Sequence, residues 1–194
     1  MGVCCVAYAV SDDNIAACLA DPPLVWQVVE HEDDGAYRQE LASQSKVSLL
    51  ARLFGKARPE PVARQLRFSP PELAEVDLDK SWDGLRACLT RLAPDAPGFF
   101  EGTGQVGAID VGYGPALYHR SETLSHVHAT LAPVSEGALI DAYRAIDPAG
   151  LYPKGLWQHD DAEVAAYLVD NFLALREFTR QANDHGLGVI IRMT

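Results

Sequence analysis

Toward the C-terminus, Val164, Leu168, Phe172, Leu175, Phe178 and Ala182 recur at spacings of three and four. Only an α-helix gathers such positions into one continuous stripe, so the pattern predicts a long helix with its apolar face on a core. Asp160 and Glu163 form an Asp-x-x-Glu capping box at its start, and Gly186 stops it. Beyond the glycine, Val189 to Met193 reads as a short closing strand, and at the other end of the chain Val3 to Val10 reads as an opening one. The expected architecture is a single helix-rich α+β domain over residues 1–194, with a small sheet that contains the first and last strands.

Between these ends the sequence alternates helical patterns with turn chemistry. Ser11 offers an N-cap to a helix through Ile15, Cys18 and Leu19, which Asp21-Pro22-Pro23 ends. A second helix starts at Leu24-Val25-Trp26, and a third is expected from Ala36 to Phe54, closed by Gly55. Residues 56–71 are basic and punctuated by proline, and they read as a mobile loop. Asp77 or Asp79 is expected to cap a helix carrying Trp82, Leu85, Leu89 and Leu92. Trp82 is expected to be buried against the C-terminal helix through Phe172 or Leu175. From Phe99 to Tyr118 the glycine-rich stretch reads as short strands and turns. Helices follow from Ser121 to Leu131 and from Ser135 to before Pro148.

A formal net charge of −11 argues against nucleic acid or an anionic membrane as partner. The exception is local: between Arg38 and Arg67 seven basic residues face Glu40 and Glu60 alone. Within that stretch Leu49, Leu50, Leu53 and Phe54, flanked by Lys46, Arg52, Lys56 and Arg58, read either as core or as a docking face. A protein partner or self-association through residues 46–58 is the corresponding expectation. Neither a basic, apolar leader nor an uninterrupted apolar span is evident, so a cytoplasmic location is expected. Cys4, Cys5, Cys18 and Cys88 show no Cys-x-x-Cys spacing and read as reduced thiols.

Most catalytic and metal signatures fail on their physics. Gly102-Thr103-Gly104-Gln105-Val106-Gly107 matches Gly-x-Gly-x-x-Gly, but no helix follows to place free N–H groups on a pyrophosphate. His126 and His128 fall in a helical pattern, where a two-residue step turns their rings about 200° apart. No metal and no cofactor are expected. The best site candidate is the block Asp79, Lys80, Trp82 and Asp83, in which a carboxylate beside an apolar wall can have its pKa raised for general acid work. Asp110, Tyr113 and Tyr152 complete the expected ligand-binding set of Asp79, Lys80, Asp83, Asp110, Tyr113 and Tyr152.

The blocks Asp79-Lys80-Ser81-Trp82-Asp83-Gly84-Leu85, Gly112-Tyr113-Gly114-Pro115-Ala116 and Leu151-Tyr152-Pro153, with the opening Met1-Gly2-Val3-Cys4-Cys5, resemble the YfbM-like family of bacterial proteins. The likeness runs over essentially the whole chain and implies kinship with a domain of unknown function. Members tend to read Asp-Lys-x-Trp, two variable positions, Leu and His; here Arg86 stands where the His is usual. Arginine stays protonated at any working pH, so that position cannot serve as a base in this chain. Two functions remain in view. One is a non-catalytic binding or interaction module for a protein partner or small ligand. The alternative is a small hydrolase or transferase with a carboxylate and aromatic pocket near Asp79, Asp83, Asp110 and Tyr113.

Overall fold

The computed structural model describes residues 2–33, 35–43, 63–159 and 161–194. Strand β1, Cys5–Val10, is buried along its whole length. Helix α1, Asp12–Ala20, follows, and its N-cap Ser11 accepts a hydrogen bond from the Asn14 N–H. A 3₁₀ turn, Pro22–Val25, leads into the short α2, Trp26–Val29, and α3 covers 35–43. The remainder of the expected third helix, the 46–58 docking face, most of the basic stretch and the 56–62 half of the expected loop lie outside the described residues.

The chain returns beside α2. Gln27 donates to the Arg64 carbonyl and accepts from the Leu66 N–H, so one buried amide does the work of a neighbouring strand. Farther on, the Glu72 carboxylate accepts from Ser11, Asn14 and Ser69. These bonds tie the described 63–71 segment to α1 and α2.

Strand β2, Glu75–Asp77, lies beyond the sequence reading, being too short to show a period. After it come α4, Trp82–Leu92, then β3, Gly104–Asp110, and β4, Pro115–His119. Helices α5, Ser121–Leu131, and α6, Glu136–Arg144, precede the long α7, Asp161–Asp184, and β5, Gly188–Met193, closes the chain. The antiparallel strands form one sheet in the order β2-β1-β5-β4-β3. The first and last strands are therefore direct neighbours, with Cys5 opposite Met193 and Val10 opposite Gly188.

Side chains on β1 alternate between two cores, as the pleat requires. Cys5, Ala7 and Ala9 join Val189 and Ile191 in a core covered by α4, α5, α6 and α7. Val6, Tyr8 and Val10 join Ile190 in a second core under α1, the 3₁₀ turn and α2. The result is a three-layer α+β fold with the sheet in the middle. Within β3 the register with β4 breaks, and Gly107 takes φ +60° in the irregular stretch. A Cβ there would press on the ring of Pro22. Glycine is thus required by conformation and by packing at once, and the Gly-x-Gly-x-x-Gly run is turn and strand.

Trp82 is partly buried at the edge of the α7-side core, the cluster that holds Phe172 and Leu175; its ring lies 5.9 Å from that of Tyr152, and its Nε1 donates to the Val3 carbonyl. The fully buried tryptophan of that core is Trp157, which sits against Gly84. A correction concerns the start of α4. Asp79 has φ +43° in a 3₁₀ turn, Asp79–Ser81, and Asp77 accepts the Asp79 N–H, so neither carboxylate caps α4 itself.

Candidate functional site

Where β1 begins and β5 ends, the two chain ends pair: Cys4 N–H donates to the Thr194 carbonyl at 2.7 Å, and Thr194 N–H returns the bond at 2.9 Å. The expected site residues gather around this pairing in two groups. In the first, Val3 is gripped from both sides, its N–H by the Tyr152 hydroxyl at 2.8 Å and its carbonyl by Trp82 Nε1 at 2.9 Å. Asp79 stands beside it. Its carboxylate accepts from the Cys4 thiol at 3.2 Å and from the Tyr167 hydroxyl at 3.0 Å, and Lys80 Nζ lies 3.5 Å away.

Electrostatics here run opposite to the general-acid expectation. Burial pushes the Asp79 carboxyl up, but the hydrogen bonds from Cys4 and Tyr167, the Lys80 N–H and the Lys80 charge outweigh it. The group is held below the ordinary carboxylate range and is a fixed anion at neutral pH. Its neighbours respond in kind: burial and the Asp79 anion raise both the Cys4 thiol and the Tyr167 phenol.

Asp83 turns the other way, into the protein, and is only 5% exposed. One oxygen takes both Nε and Nη2 of Arg86, at 2.9 and 2.6 Å, and the other takes the Tyr152 N–H at 2.9 Å. The Tyr152 carbonyl accepts from Trp157 Nε1, and the peptide bond from Tyr152 to Pro153 is cis. Asp83 and Tyr152 thus wire α4 to the segment before α7.

The second group is the β3–β4 turn. Asp110 accepts the N–H groups of Gly112 and Gly114, which lowers its pKa. Tyr113 N–H donates to the Met193 carbonyl, which fastens the turn to the end of β5. Its ring points outward, 66% of the residue being exposed. Among the described residues, no hydrogen bond, ion pair or ring contact joins Asp110 or Tyr113 to Asp79 or Asp83. The six expected residues share one end of the sheet without converging on one reaction centre.

Sequence reasoning missed Tyr167 and the gripped backbone of Val3. Tyr167 lies 88 residues from Asp79 and off the apolar stripe of α7, so only the packed fold joins them. His126 is exposed on α5, whereas His128 faces Thr179 across a 3.4 Å contact. Among the described residues no group of three or more His, Cys, Asp and Glu is placed to hold a metal.

A separate groove of about 230 Å³ opens between the C-terminal half of α4, residues 93–101 and α5. Phe99 and Phe100 contribute to its lining with Leu89, Val127 and Leu131; Arg86, Thr90, Thr130 and Glu101 are its polar lining. Behind Phe99, the buried His119 donates from Nε2 to the Phe99 carbonyl at 2.9 Å and meets Thr103 Oγ1 through Nδ1.

Among the curated proteins, none matches the chain. The crystal structure of a protein of unknown function, YfbM from Escherichia coli, is similar over 98% of this chain and 99% of that one, with 13% identity and a TM-score of 0.52, which shows a shared fold. The family model described as a domain of unknown function, DUF1877, matches residues 1–192, and the chain therefore belongs to this YfbM-like family.

Proposed function

We propose that the protein is a non-catalytic binding module that holds a basic segment of a protein partner against the end of the sheet where its own two ends pair. The observation that carries this reading is Tyr113. A large aromatic ring is carried outward on a turn whose backbone Asp110 and the Met193 carbonyl hold, and among the described residues the ring has no partner of its own. Asp110 supports it on the same turn, and Asp77, Asp79 and the partly exposed Tyr152 lie at the same sheet end. Exposed aromatics among fixed anions suit lysine and arginine side chains, through ring faces and through charge. The overall charge of −11 favours the same partner and disfavours nucleic acid.

Among the described residues the expected carboxylates form no common centre for the enzymatic alternative. Asp79, Asp83 and Asp110 are each occupied by hydrogen bonds that fix local structure, and no cofactor is invoked. Four free thiols suit a reducing cytoplasm as the working compartment. Fluorescence anisotropy with a labelled lysine- and arginine-rich peptide tests the reading. Binding should be saturable and weaken with added salt, and Tyr113→Ser should weaken it about tenfold without moving Tm. Equal binding by Tyr113→Ser, or none by the wild type, would overturn it.

A further inference from the structure

The groove between α4, residues 93–101 and α5 is remote from the chain-end pairing in its lining, which includes none of Asp79, Lys80, Asp83, Asp110, Tyr113 and Tyr152. Its shape is fixed in advance. Phe99 and Phe100 meet edge to face at 5.3 Å, the Phe99 carbonyl is held by His119, and the Ala96 N–H closes a turn onto the Ala93 carbonyl. A preformed apolar site loses little ordering entropy when a ligand enters it.

Two charged groups on the lining define what such a ligand would carry. Arg86 spends Nε and Nη2 on a single oxygen of Asp83, which leaves the Nη1 donors with no acceptor among the described residues. Its side chain is 44% exposed and therefore accessible. Glu101, on the same lining, is exposed and accepts no hydrogen bond from any described residue, its electrostatic pull on His119 apart. An accessible guanidinium edge and a carboxylate without a hydrogen-bond donor, on one partly apolar lining, match a molecule with a carboxylate, an ammonium and an apolar body. A volume of about 230 Å³ limits it to the size of one amino acid or a very short peptide.

We infer that this groove binds a small zwitterion with an apolar side chain, a free amino acid of the leucine or phenylalanine kind or a dipeptide built from them. The carboxylate meets Arg86, the ammonium meets Glu101, and the side chain lies on the accessible apolar lining of Leu89, Ala93, Pro94 and Pro97, which the buried Phe99 and Phe100 support from beneath. This site is independent of the basic-partner surface proposed above, and either can fail alone.

The test is isothermal titration of the intact protein with L-leucine, L-phenylalanine and Leu-Leu, each compared with its N-acetylated and C-amidated form. Saturable binding of a free zwitterion is expected, with each cap weakening it about tenfold, the size of one lost charged contact. Glu101→Gln alters an exposed residue with no structural bond, so the fold is kept; it should erase the penalty of N-acetylation and leave that of C-amidation. Arg86→Gln, read together with its Tm because it also takes the cation from the buried Asp83, should do the reverse. Thr130→Trp, which fills the groove from α5, should abolish binding while Tyr113-dependent peptide binding persists. Heat-free titrations up to about 10 mM for all three ligands, or capped forms that bind as well as free ones, would overturn the proposal.

Discussion

Asp79 shows how one side chain can read as chemistry in sequence and as architecture in space. A carboxylate next to a tryptophan invites the idea of a raised pKa, yet this one gathers a thiol, a phenol and an ammonium around it. Cys4 bears the consequence: burial first, and then its bond to the Asp79 anion, disfavour the thiolate. Replacing Asp79 with Asn removes the negative charge and supplies an amide that can donate to sulfur. Cys4 in Asp79→Asn should therefore react several-fold faster with iodoacetamide near pH 8, measured by mass spectrometry of the labelled peptide. Cys5, Cys18 and Cys88 are buried, with Cys18 and Cys88 pushed up to about 12, and serve as unreactive internal references. An unchanged Cys4 rate would show that the Asp79 contact does not control the thiol.

At the scale of elements, α4 is shaped by its neighbour rather than by its own propensities. Gly84 is the third residue of α4, where alanine is ordinarily the better helix former by up to about 1 kcal/mol. A Cβ at that position would run into the six-membered ring of Trp157, whose Nε1 is tied to the Tyr152 carbonyl and so cannot swing away freely. The clash should outweigh the propensity gain, and Gly84→Ala is expected to destabilise by about 1–3 kcal/mol in urea unfolding. A stabilised variant would mean that Trp157 has room to shift. Here the sequence was partly legible: the apolar spacing of Leu85 and Leu89 marks the helix, but its start lies at Trp82, beyond both carboxylates expected to cap it. That Trp157 and not Trp82 fills the core could not be read, because both are tryptophans near turns and only the docking of the 151–158 segment tells them apart.

For the molecule as a whole, the sheet sets the cooperative unit, because β5 lies between β1 and β4 and carries residues of both cores. Removing residues 188–194 should leave no cooperative thermal transition, since β1 would lose its partner along six residue pairs. A residual sigmoidal transition by circular dichroism would contradict this. Global stability should also depend on His119. Burial, the largest cause, keeps its ring below the usual 6.5, although the Phe99 and Gly98 carbonyls and Glu101 pull upward. The unfolded chain then binds the proton first as pH falls, so this contribution is whole above pH 6.5 and is lost as pH drops toward the folded value. The Tm difference between wild type and His119→Gln should accordingly shrink between about pH 7.5 and about pH 5. A constant difference would place the ring's charge outside the folding equilibrium.

Taken alone, the sequence determined the elements whose signal is local and repeated: the stripe of α7, the Ser11 cap, helices α5 and α6, and the apolar strands at both ends. It also carried the kinship, through short blocks that need no knowledge of contacts. The tertiary structure decided what those blocks do. The grip of Tyr152 and Trp82 on Val3, the closure of Asp79 by Cys4 and Tyr167, and the seat of Met193 beside Tyr113 all join residues far apart along the chain. Such contacts arise when two cores pack against opposite faces of one sheet and draw its two ends together, and no spacing along a single strand or helix encodes them.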